Sequence, residues 1–320
     1  MQGWHVIGTH RSLVLADVVL APPGPGEVLI DVRAAGLCHS DVGVLTEPSW
    51  MRTLAFTPIV MGHEISGVVA AVGDGVQHVA IGDRVGVCPT GVGGAPGFVR
   101  HGGFTTQHIA PAADLVRVPD AVSFELAAMG TDAGMTAHHA MVTQGGVAAG
   151  MKVGVIGLGG LGQIGARVAV VKGAEVHVAE PNQAAWPLAD RIGATSIVTD
   201  ADAWAGEGFD LIVDYAGYGT TTRAATKAVR RGGRVVLIGM GAMSLTLDTM
   251  DMILSRVTLV GAGGGTPQDI ADVYQLMASG ALEPEVRVIG FDDIPSALED
   301  LQHHRITGRL VARLEDPAEA

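Results

Sequence analysis

The chain has 320 residues and a formal net charge of −13. This length suggests two domains. The acidic balance argues against partners that bind a basic protein face, so we expect no nucleic-acid and no membrane partner. The sequence predicts neither a leader nor the run of about 18 apolar residues that a membrane span requires, and we expect a cytoplasmic protein. Cys38 and Cys88 are too few for a disulfide framework, so both thiols are expected to be reduced.

Short β-runs broken by turn residues fill the first part of the chain. They are "GEVLIDVRAAG", "HEISGVVAAVGDGV", "GDRVGVC" and "GGFTTQHIAP". Runs of this kind, bounded by glycine, proline and aspartate, are typical of strands in an antiparallel arrangement. We predict an irregular, mostly antiparallel β-barrel over residues 1–134.

From Met151 the pattern changes to alternating strands and helices. The predicted strands are "MKVGVIG", "AEVHVAE", "SIVT", "FDLIVDYAG", "GGRVVLIGM" and "VTLVGAG". Continuous Val, Ile and Leu runs suit strands covered on both faces, which indicates a parallel, doubly wound sheet of the Rossmann type over residues 135–283. The fold class is therefore α/β. The remaining segment, residues 284–320, predicts a strand, a helix and a final strand; we place it back on the barrel, although it could also extend the sheet.

A glycine motif opens the first strand–helix unit of the second domain. Gly157, Gly159 and Gly162 have G-x-G-x-x-G spacing, directly after a strand and before a helix. Such glycines allow a tight turn, close approach of a pyrophosphate and close packing of helix on strand. Glu180 closes the next strand, where a carboxylate can accept hydrogen bonds from ribose hydroxyls and repel a 2′-phosphate. We predict dinucleotide binding with NAD favoured over NADP, although Arg191 offers a phosphate partner. A purely structural turn would explain the glycines but not the acid.

Four side chains in the sequence could hold a metal ion. They are Cys38 in "GLCHSD", His63 and Glu64 in "MGHE", and Asp132 in "GTDAG". A single cysteine or histidine is more often a packing residue than a ligand. Sulfur, nitrogen and oxygen donors in combination are what Zn²⁺ takes in catalytic sites with an open coordination position.

With these motifs the chain resembles, over essentially its whole length, the zinc-dependent alcohol dehydrogenases of the medium-chain dehydrogenase/reductase superfamily. The motifs that carry the resemblance are "GLCHSD", "GHEISGVVAAVG", "GDRVGV", "GGFTTQHIAP", "TDAGMTAHHA", "GLGGLG" and "GRLV". The resemblance implies a GroES-like catalytic domain, a Rossmann cofactor domain, and a homodimer or homotetramer. It makes Cys38, His63 and Asp132 the zinc ligands, with Glu64 behind the metal or ligating it when water or substrate leaves.

The resemblance also implies roles around these ligands. Ser40 matches the hydroxyl that hydrogen-bonds the substrate oxygen and starts proton release, and Asp41 matches the acid that orients His63. Each has an ordinary alternative, Ser40 as a helix cap and Asp41 as a turn acid. The implied cofactor contacts are His39, Thr136, Gly157, Gly159, Gly160, Leu161, Gly162, Glu180, Ile238, Gly239 and Arg309.

The chain departs from that family in three places. Between Gly86 and Gly102, where many relatives carry four cysteines for a structural zinc, only Cys88 is present, so we predict one catalytic zinc per chain and no structural zinc. Gly43 stands where relatives with a full proton relay often have a histidine. Ala185 stands where a lysine often helps to hold the ribose.

The sequence thus predicts an NAD(H)- and zinc-dependent enzyme that interconverts a small-molecule alcohol and its ketone or aldehyde. Zinc lowers the pKa of a bound alcohol, and hydride then passes to the nicotinamide. Apolar side chains on nearby loops suggest a secondary or cyclic apolar alcohol, or are ordinary loop packing; these are Trp50, Met51, Phe56 and Phe98. Two alternatives stay open, a zinc-free quinone or enoyl reductase of the same fold and a non-catalytic dinucleotide-binding scaffold.

Overall fold

The structure is a computed structural model that describes residues 1–314. Its strands are β1 (Gln2–Val6), β2 (Val14–Asp17), β3 (Glu27–Leu37), β4 (Ile59–Val60), β5 (Glu64–Val72), β6 (Arg84–Val87), β7 (Gln107–Pro111), β8 (Leu115–Arg117), β9 (Lys152–Ile156), β10 (Glu175–Ala179), β11 (Ser196–Val198), β12 (Phe209–Asp214), β13 (Val229–Leu237), β14 (Thr258–Gly261), β15 (Val286–Ile289) and β16 (Arg309–Arg313).

The α-helices are α1 (His39–Thr46), α2 (Phe124–Met129), α3 (Met135–His138), α4 (Gly162–Val171), α5 (Trp186–Ile192), α6 (Thr220–Ala228), α7 (Thr249–Ser255), α8 (Pro267–Ala278) and α9 (Ile294–Gln302). Two π-helical segments, Gly130–Gly134 and His139–Gln144, adjoin α3. Short 3₁₀ turns lie at Trp50–Thr53, Ala112–Asp114, Gln183–Ala185, Ala201–Trp204 and Phe291–Asp293. Within residues 1–314, no helix is long and apolar enough to cross a bilayer.

Among the described residues, the first compact unit contains Met1–Met135 and residues 266–314. Its small sheet has the order β2-β1-β4, and its large sheet has the order β15-β16-β3-β5-β6-β8, with β7 also paired to β3. All of these pairings are antiparallel except that of β15 with β16. The alternating burial of β3 places Val28, Ile30 and Val32 in the core, as expected for a strand with one face covered. The predicted, mostly antiparallel β-domain is confirmed.

The second unit, Thr136–Gly265, is built around one parallel sheet in the order β11-β10-β9-β12-β13-β14. Val153, Val155 and Val213 are fully buried, because helices of this unit cover the strands. Gly157 turns the chain from β9 towards α4 with a φ of +85°. A Cβ on Gly162 would collide with the carbonyl oxygen of Gly157, so this position requires glycine. The predicted doubly wound sheet is confirmed.

The last part of the chain belongs to the first unit. β16 pairs antiparallel with β3, and the division falls at Thr266, not at the predicted boundary between 283 and 284. The physical reason is α8: its buried Tyr274 donates a hydrogen bond to the Ala127 carbonyl at 2.9 Å, which fastens the helix to α2. The first boundary lies after Met135, against a predicted end at 134. Residues 315–320 of the predicted C-terminal segment lie outside the described residues.

Candidate active site

Four of the predicted residues come together in the first unit. One ligand atom from each of Cys38, His63, Glu64 and Asp132 lies within 4.8 Å of the others. Asp132 Oδ2 is 3.4 Å from His63 Nε2 and 3.8 Å from Cys38 Sγ. His63 and Glu64 are buried, whereas Cys38 and Asp132 are partly exposed, so the cluster has an open side. Sulfur, imidazole and carboxylate donors at these separations fit a zinc ion.

The candidate ligands Cys38, His63 and Asp132 each lie in a different local structure. Cys38 is the N-cap of α1, His63 directly precedes β5, and Asp132 lies in the π-helical segment Gly130–Gly134. π-Helical turns are rare and recur at functional sites, because the extra residue in the turn changes where a side chain points. The cluster therefore depends on the packing of three segments that are far apart in the sequence.

The Asp41 carboxylate contacts both the start of α1 and the His63 ring. Its Oδ2 accepts a hydrogen bond from the Cys38 N–H at 2.9 Å, which closes the start of α1. Its Oδ1 lies 3.3 Å from His63 Nδ1, which directs Nε2 towards the cluster. Burial lowers the pKa of His63, but the Asp41 and Asp132 carboxylates raise it well above its usual value. The same negative surroundings that favour a proton on this ring favour a metal cation beside it.

Glu64 forms a buried ion pair with Arg309, which sequence reasoning had assigned to the cofactor alone. Glu64 Oε1 accepts from Arg309 Nη2, while Glu64 Oε2 has no hydrogen-bond partner among the described residues. Gly36 on the neighbouring strand leaves room for this carboxylate. Burial of the Cys38 thiol raises its pKa, but the Arg309 guanidinium and His63 together outweigh this effect and lower the pKa of Cys38 to about 7. Arg309 thus favours the thiolate that a metal ligand requires.

His39 lies close to the same arginine. Its ring stacks on His304 with 6.0 Å between the ring centroids. Burial, Arg309 and His304 lower the pKa of His39 to about 4. The side chain is therefore neutral at neutral pH and can donate or accept a hydrogen bond.

Ser40 and the Phe98 ring lie next to the cluster, and the Trp50 ring lies beside Gly43 on the helix that contains Ser40. Ser40 Oγ is 3.3 Å from His63 Nε2. The Phe98 ring meets the His63 ring edge to face, with centroids 5.6 Å apart. A Cβ on Gly43 would lie 3.0 Å from two carbons of the Trp50 indole. An aromatic ring therefore occupies the space in which a side chain at position 43 would lie.

The predicted cofactor residues of the second unit gather around the glycine turn and the ends of the strands. Glu180 Oε2 accepts from the Leu158 N–H and Oε1 from the Asn182 N–H, both at 2.7 Å. Among the described residues, no atom would lie within 4 Å of a Cβ on Gly159, so the space beside it is open. Gly160 and Leu161 complete the turn before α4. This arrangement fits the pyrophosphate of a dinucleotide.

The sequence analysis did not select Asp214, at the end of β12, as a candidate site residue. The fully buried carboxylate accepts hydrogen bonds from the Ala216 and Gly217 N–H groups and from the Thr221 and Thr222 hydroxyls. Its carbonyl accepts from the N–H groups of Ile238 and Gly239, at 3.0 and 3.1 Å. An acid at the end of a buried strand, as at Glu180, was the available signal. Thr136, the remaining predicted contact in this unit, is buried.

Comparisons with known proteins agree with this architecture. Residues 24–120 match the family model of the alcohol dehydrogenase GroES-like domain, and residues 160–279 match that of zinc-binding dehydrogenases. An alcohol dehydrogenase of Geobacillus stearothermophilus is 30% identical over 91% of this chain and 93% of its own.

Solved structures are similar over nearly the whole chain. The acetophenone reductase of Geotrichum candidum in complex with NAD has a TM-score of 0.88 at 30% identity, over 98% of this chain and 97% of that one. A cobalt- and zinc-bound thermostable alcohol dehydrogenase from Pyrobaculum aerophilum has a TM-score of 0.85 at 26% identity, over 98% and 99%. The chain therefore belongs to the zinc-binding alcohol dehydrogenases of the medium-chain dehydrogenase/reductase superfamily and is an alcohol oxidoreductase.

Proposed function

We propose that this protein uses zinc and NAD(H) to interconvert an apolar secondary or cyclic alcohol and its ketone or aldehyde. The observation that carries the proposal is the cluster of Cys38, His63, Glu64 and Asp132, whose ligand atoms lie within 4.8 Å of one another. The relative solved with NAD and the relative solved with zinc support the choice of both groups.

In this proposal Cys38, His63 and Asp132 would hold the metal ion, and Glu64 would be available as a further ligand when water or substrate leaves. When bound, zinc supplies Lewis acidity that lowers the pKa of an alcohol, and NAD supplies the hydride acceptor. Asp41 keeps the His63 ring in the orientation that ligation requires. The Ser40 hydroxyl hydrogen-bonds the substrate oxygen and takes over its proton.

The residues assigned to the cofactor are also part of this proposal. The turn with Gly157, Gly159, Gly160, Leu161 and Gly162 offers backbone to the pyrophosphate, as helix N-termini and glycine turns do for anions. Glu180 accepts from the ribose hydroxyls and so favours NAD over NADP. The other assigned contacts are His39, Thr136, Ile238, Gly239 and Arg309.

Two aromatic rings support an apolar substrate. Phe98 lies against the His63 ring, and Trp50 covers Gly43 close to Ser40. Both rings pack against the core of the first unit, so they offer fixed apolar surface near the cluster. The Geotrichum relative is named for a ketone with an aromatic ring, which supports the same substrate class.

We also propose that the protein is a homo-oligomer. The support is an apolar surface of the second unit formed by α7 and the residues before it. Its exposed large side chains are Met240, Met243, Leu245, Met250, Ile253 and Leu254. Exposed apolar surface of this kind marks association sites.

Metal analysis of the purified protein, combined with NADH formation across primary, secondary and cyclic alcohols, tests the proposed reaction. We expect one zinc per chain and the highest kcat/KM with secondary or cyclic alcohols. Cys38→Ser should remove both zinc and turnover with the fold intact, whereas the matched control Cys88→Ser should keep both.

Four results would contradict the proposal. Two zinc ions per chain, or full turnover after exhaustive chelation, would rule out a single catalytic zinc. Quinone or enone reduction by a zinc-free chain would favour the zinc-free reductase. NADH binding without turnover of any alcohol or carbonyl would favour the non-catalytic scaffold.

A further inference from the structure

The segment 88–103 follows β6 and passes close to the cluster of candidate metal ligands. Its sequence, "CPTGVGGAPGFVRHGG", contains six glycines and a single cysteine. Glycine loses more conformational freedom on ordering than any other residue, so a segment of this composition needs specific contacts to keep one shape. Because Cys88 is its only cysteine, these contacts cannot come from a cysteine cluster.

One buried carboxylate supplies contacts to the first half of the segment. The Asp114 side chain accepts hydrogen bonds from the Val92 N–H at 2.7 Å and from the Gly93 N–H at 2.8 Å, one to each oxygen. The Asp114 carbonyl accepts from the Cys88 N–H at 2.8 Å. Asp114 is only 2% exposed, and hydrogen bonds to a carboxylate away from water are strong ones. Asp114 therefore anchors this half of the segment.

The anchored half packs directly on the second half. A Cβ on Gly93 would lie 2.5 Å from an Arg100 guanidinium nitrogen, and a Cβ on Gly94 would lie 2.6 Å from a Val99 methyl group. The Gly97 N–H donates to the Arg100 carbonyl at 2.8 Å. The two halves are therefore in direct contact, and a shift of the first half is expected to disturb the second.

Phe98 lies within this second half. Its carbonyl accepts from the Ala55 N–H at 2.8 Å, and its ring contacts the His63 ring edge to face. The Asp114 carboxylate is thus linked to Gly93, which packs on Arg100, and the Arg100 carbonyl closes the turn that contains Phe98, whose ring contacts His63.

We propose that Asp114 is a positioning residue for the reaction: through the segment 88–103 it holds Phe98 against His63 and thereby sets how well large apolar substrates fit beside the cluster. The inference rests on the proposed function. A ring held in one place contributes binding energy to a substrate that touches it, whereas a mobile ring loses part of that energy to ordering. Small alcohols that do not reach the ring are insensitive to its position.

Asp114→Asn tests this role, because the amide keeps the size of the side chain but has one acceptor oxygen in place of two. We expect faster amide hydrogen exchange in residues 91–100 and an unchanged zinc content. For an aromatic secondary alcohol kcat/KM should fall by roughly tenfold, mainly through KM, because contacts of about one methylene group are worth this much. For ethanol, kcat/KM should change much less than for the aromatic alcohol. Val92→Pro removes one of the two donors and leaves the carboxylate intact, and it should give the same pattern.

Phe98→Ala, made in wild type and in Asp114→Asn, separates positioning from general destabilisation. If Asp114 acts through Phe98, the double variant should be no worse with the aromatic alcohol than Phe98→Ala alone. The matched control is Asp83→Asn, because Asp83 also accepts a backbone N–H, from Ala80 at 2.7 Å, but lies outside the segment. Asp83→Asn should match wild type in amide exchange of residues 91–100, in zinc content and in kcat/KM.

Additive losses in the double variant would overturn the proposal. An equal fall with every alcohol, loss of zinc, or unchanged exchange in residues 91–100 of both Asp114→Asn and Val92→Pro would overturn it as well. Exchange and zinc content are measured without turnover. A failure of the proposed function, seen as a wild-type enzyme that turns over no alcohol, is therefore distinguishable from a failure of this inference.

Discussion

At the start of α1 a single carboxylate connects local and tertiary structure. Asp41 closes the helix through the Cys38 N–H and faces His63 with its other oxygen. Loss of a capping side chain typically costs about 1 kcal/mol of helix stability. Because both contacts use the same carboxylate, the geometry of the helix start and that of the candidate metal ligand are linked.

Ser40 is expected to be essential for proton transfer. Its hydroxyl lies 3.3 Å from His63 Nε2, beside the cluster of candidate metal ligands. We expect Ser40→Ala to lower kcat by roughly 10²-fold or more, because a positioned proton-transfer group contributes that much. Zinc content should stay normal, and Ser40→Thr, which keeps a hydroxyl, should retain most of the turnover. An unchanged kcat with an unchanged pH profile would show that Ser40 only supports the structure.

The next step of the proton path cannot pass through position 43. The indole of Trp50 occupies the space in which a side chain on Gly43 would lie. Gly43→His is therefore expected to displace Trp50 and not to add a working relay. We expect the proton to leave by another path, through the cofactor ribose to water or through another histidine.

Glu180 determines cofactor preference in our proposal. Both of its oxygens already accept backbone N–H groups, which keeps the carboxylate in place at the glycine turn. We expect wild type to prefer NAD in kcat/KM, and Glu180→Ala to weaken NAD use and to relax the rejection of NADP. Glu180→Gln is the control for charge alone. A wild-type enzyme that works better with NADP would contradict this assignment.

At the scale of elements, helix α7 has no buried side chain and strand β14 has an unpaired edge among the described residues, although most of the sheet in their unit is covered. Every side chain of α7 is at least partly exposed, including Met250, Ile253 and Leu254. β14 lies at the end of the sheet and, among the described residues, pairs with β13 alone. Its sequence, "TLVG", has none of the charged residues or prolines that protect free strand edges. A second copy related by a two-fold axis could pair with this edge in antiparallel fashion and cover the apolar surface.

We therefore expect Ile253→Asp to reduce the oligomeric mass in light scattering, because a charge at this position would be buried in the contact. Ile81→Asp is a matched control, because Ile81 and Ile253 are similarly exposed, at 67% and 66%, and Ile81 belongs to the other unit. The control should keep the wild-type mass. A monomeric wild type, or equal masses for all three proteins, would show that this surface is not an interface between copies.

At the scale of the whole molecule, much of the architecture was predictable from local patterns. The change from short β-runs to alternating strands and helices predicted both units, because the hydrophobic period of an element depends on which of its faces is buried. The boundary at 283 was placed too late, because α8 has the amphipathic pattern of any surface helix. Tertiary contacts assign that helix to the first unit, among them the hydrogen bond of Tyr274 to Ala127 and the packing of Tyr274 beside Gly86 and Gly130.

The sequence predicted which residues form the candidate site, but it did not predict all of the contacts among them. The four donor residues stand in short motifs that resemble a known family, so they could be named from the sequence. The pairing of Arg309 with Glu64 joins residues from β16 and β5, which each pair with β3 but not with one another. No spacing in the sequence encodes such a contact.

By itself, the sequence determined the α/β class, the glycine turn, the acid at Glu180 and the presence of one cysteine-containing donor set, because these depend on residue identity and on short-range spacing. The tertiary structure decided that Arg309 neutralises Glu64, that Trp50 covers Gly43 and that Phe98 lies against His63. Those contacts arise when segments distant in the chain pack against one another, and packing depends on the shapes of all the side chains in the core at once.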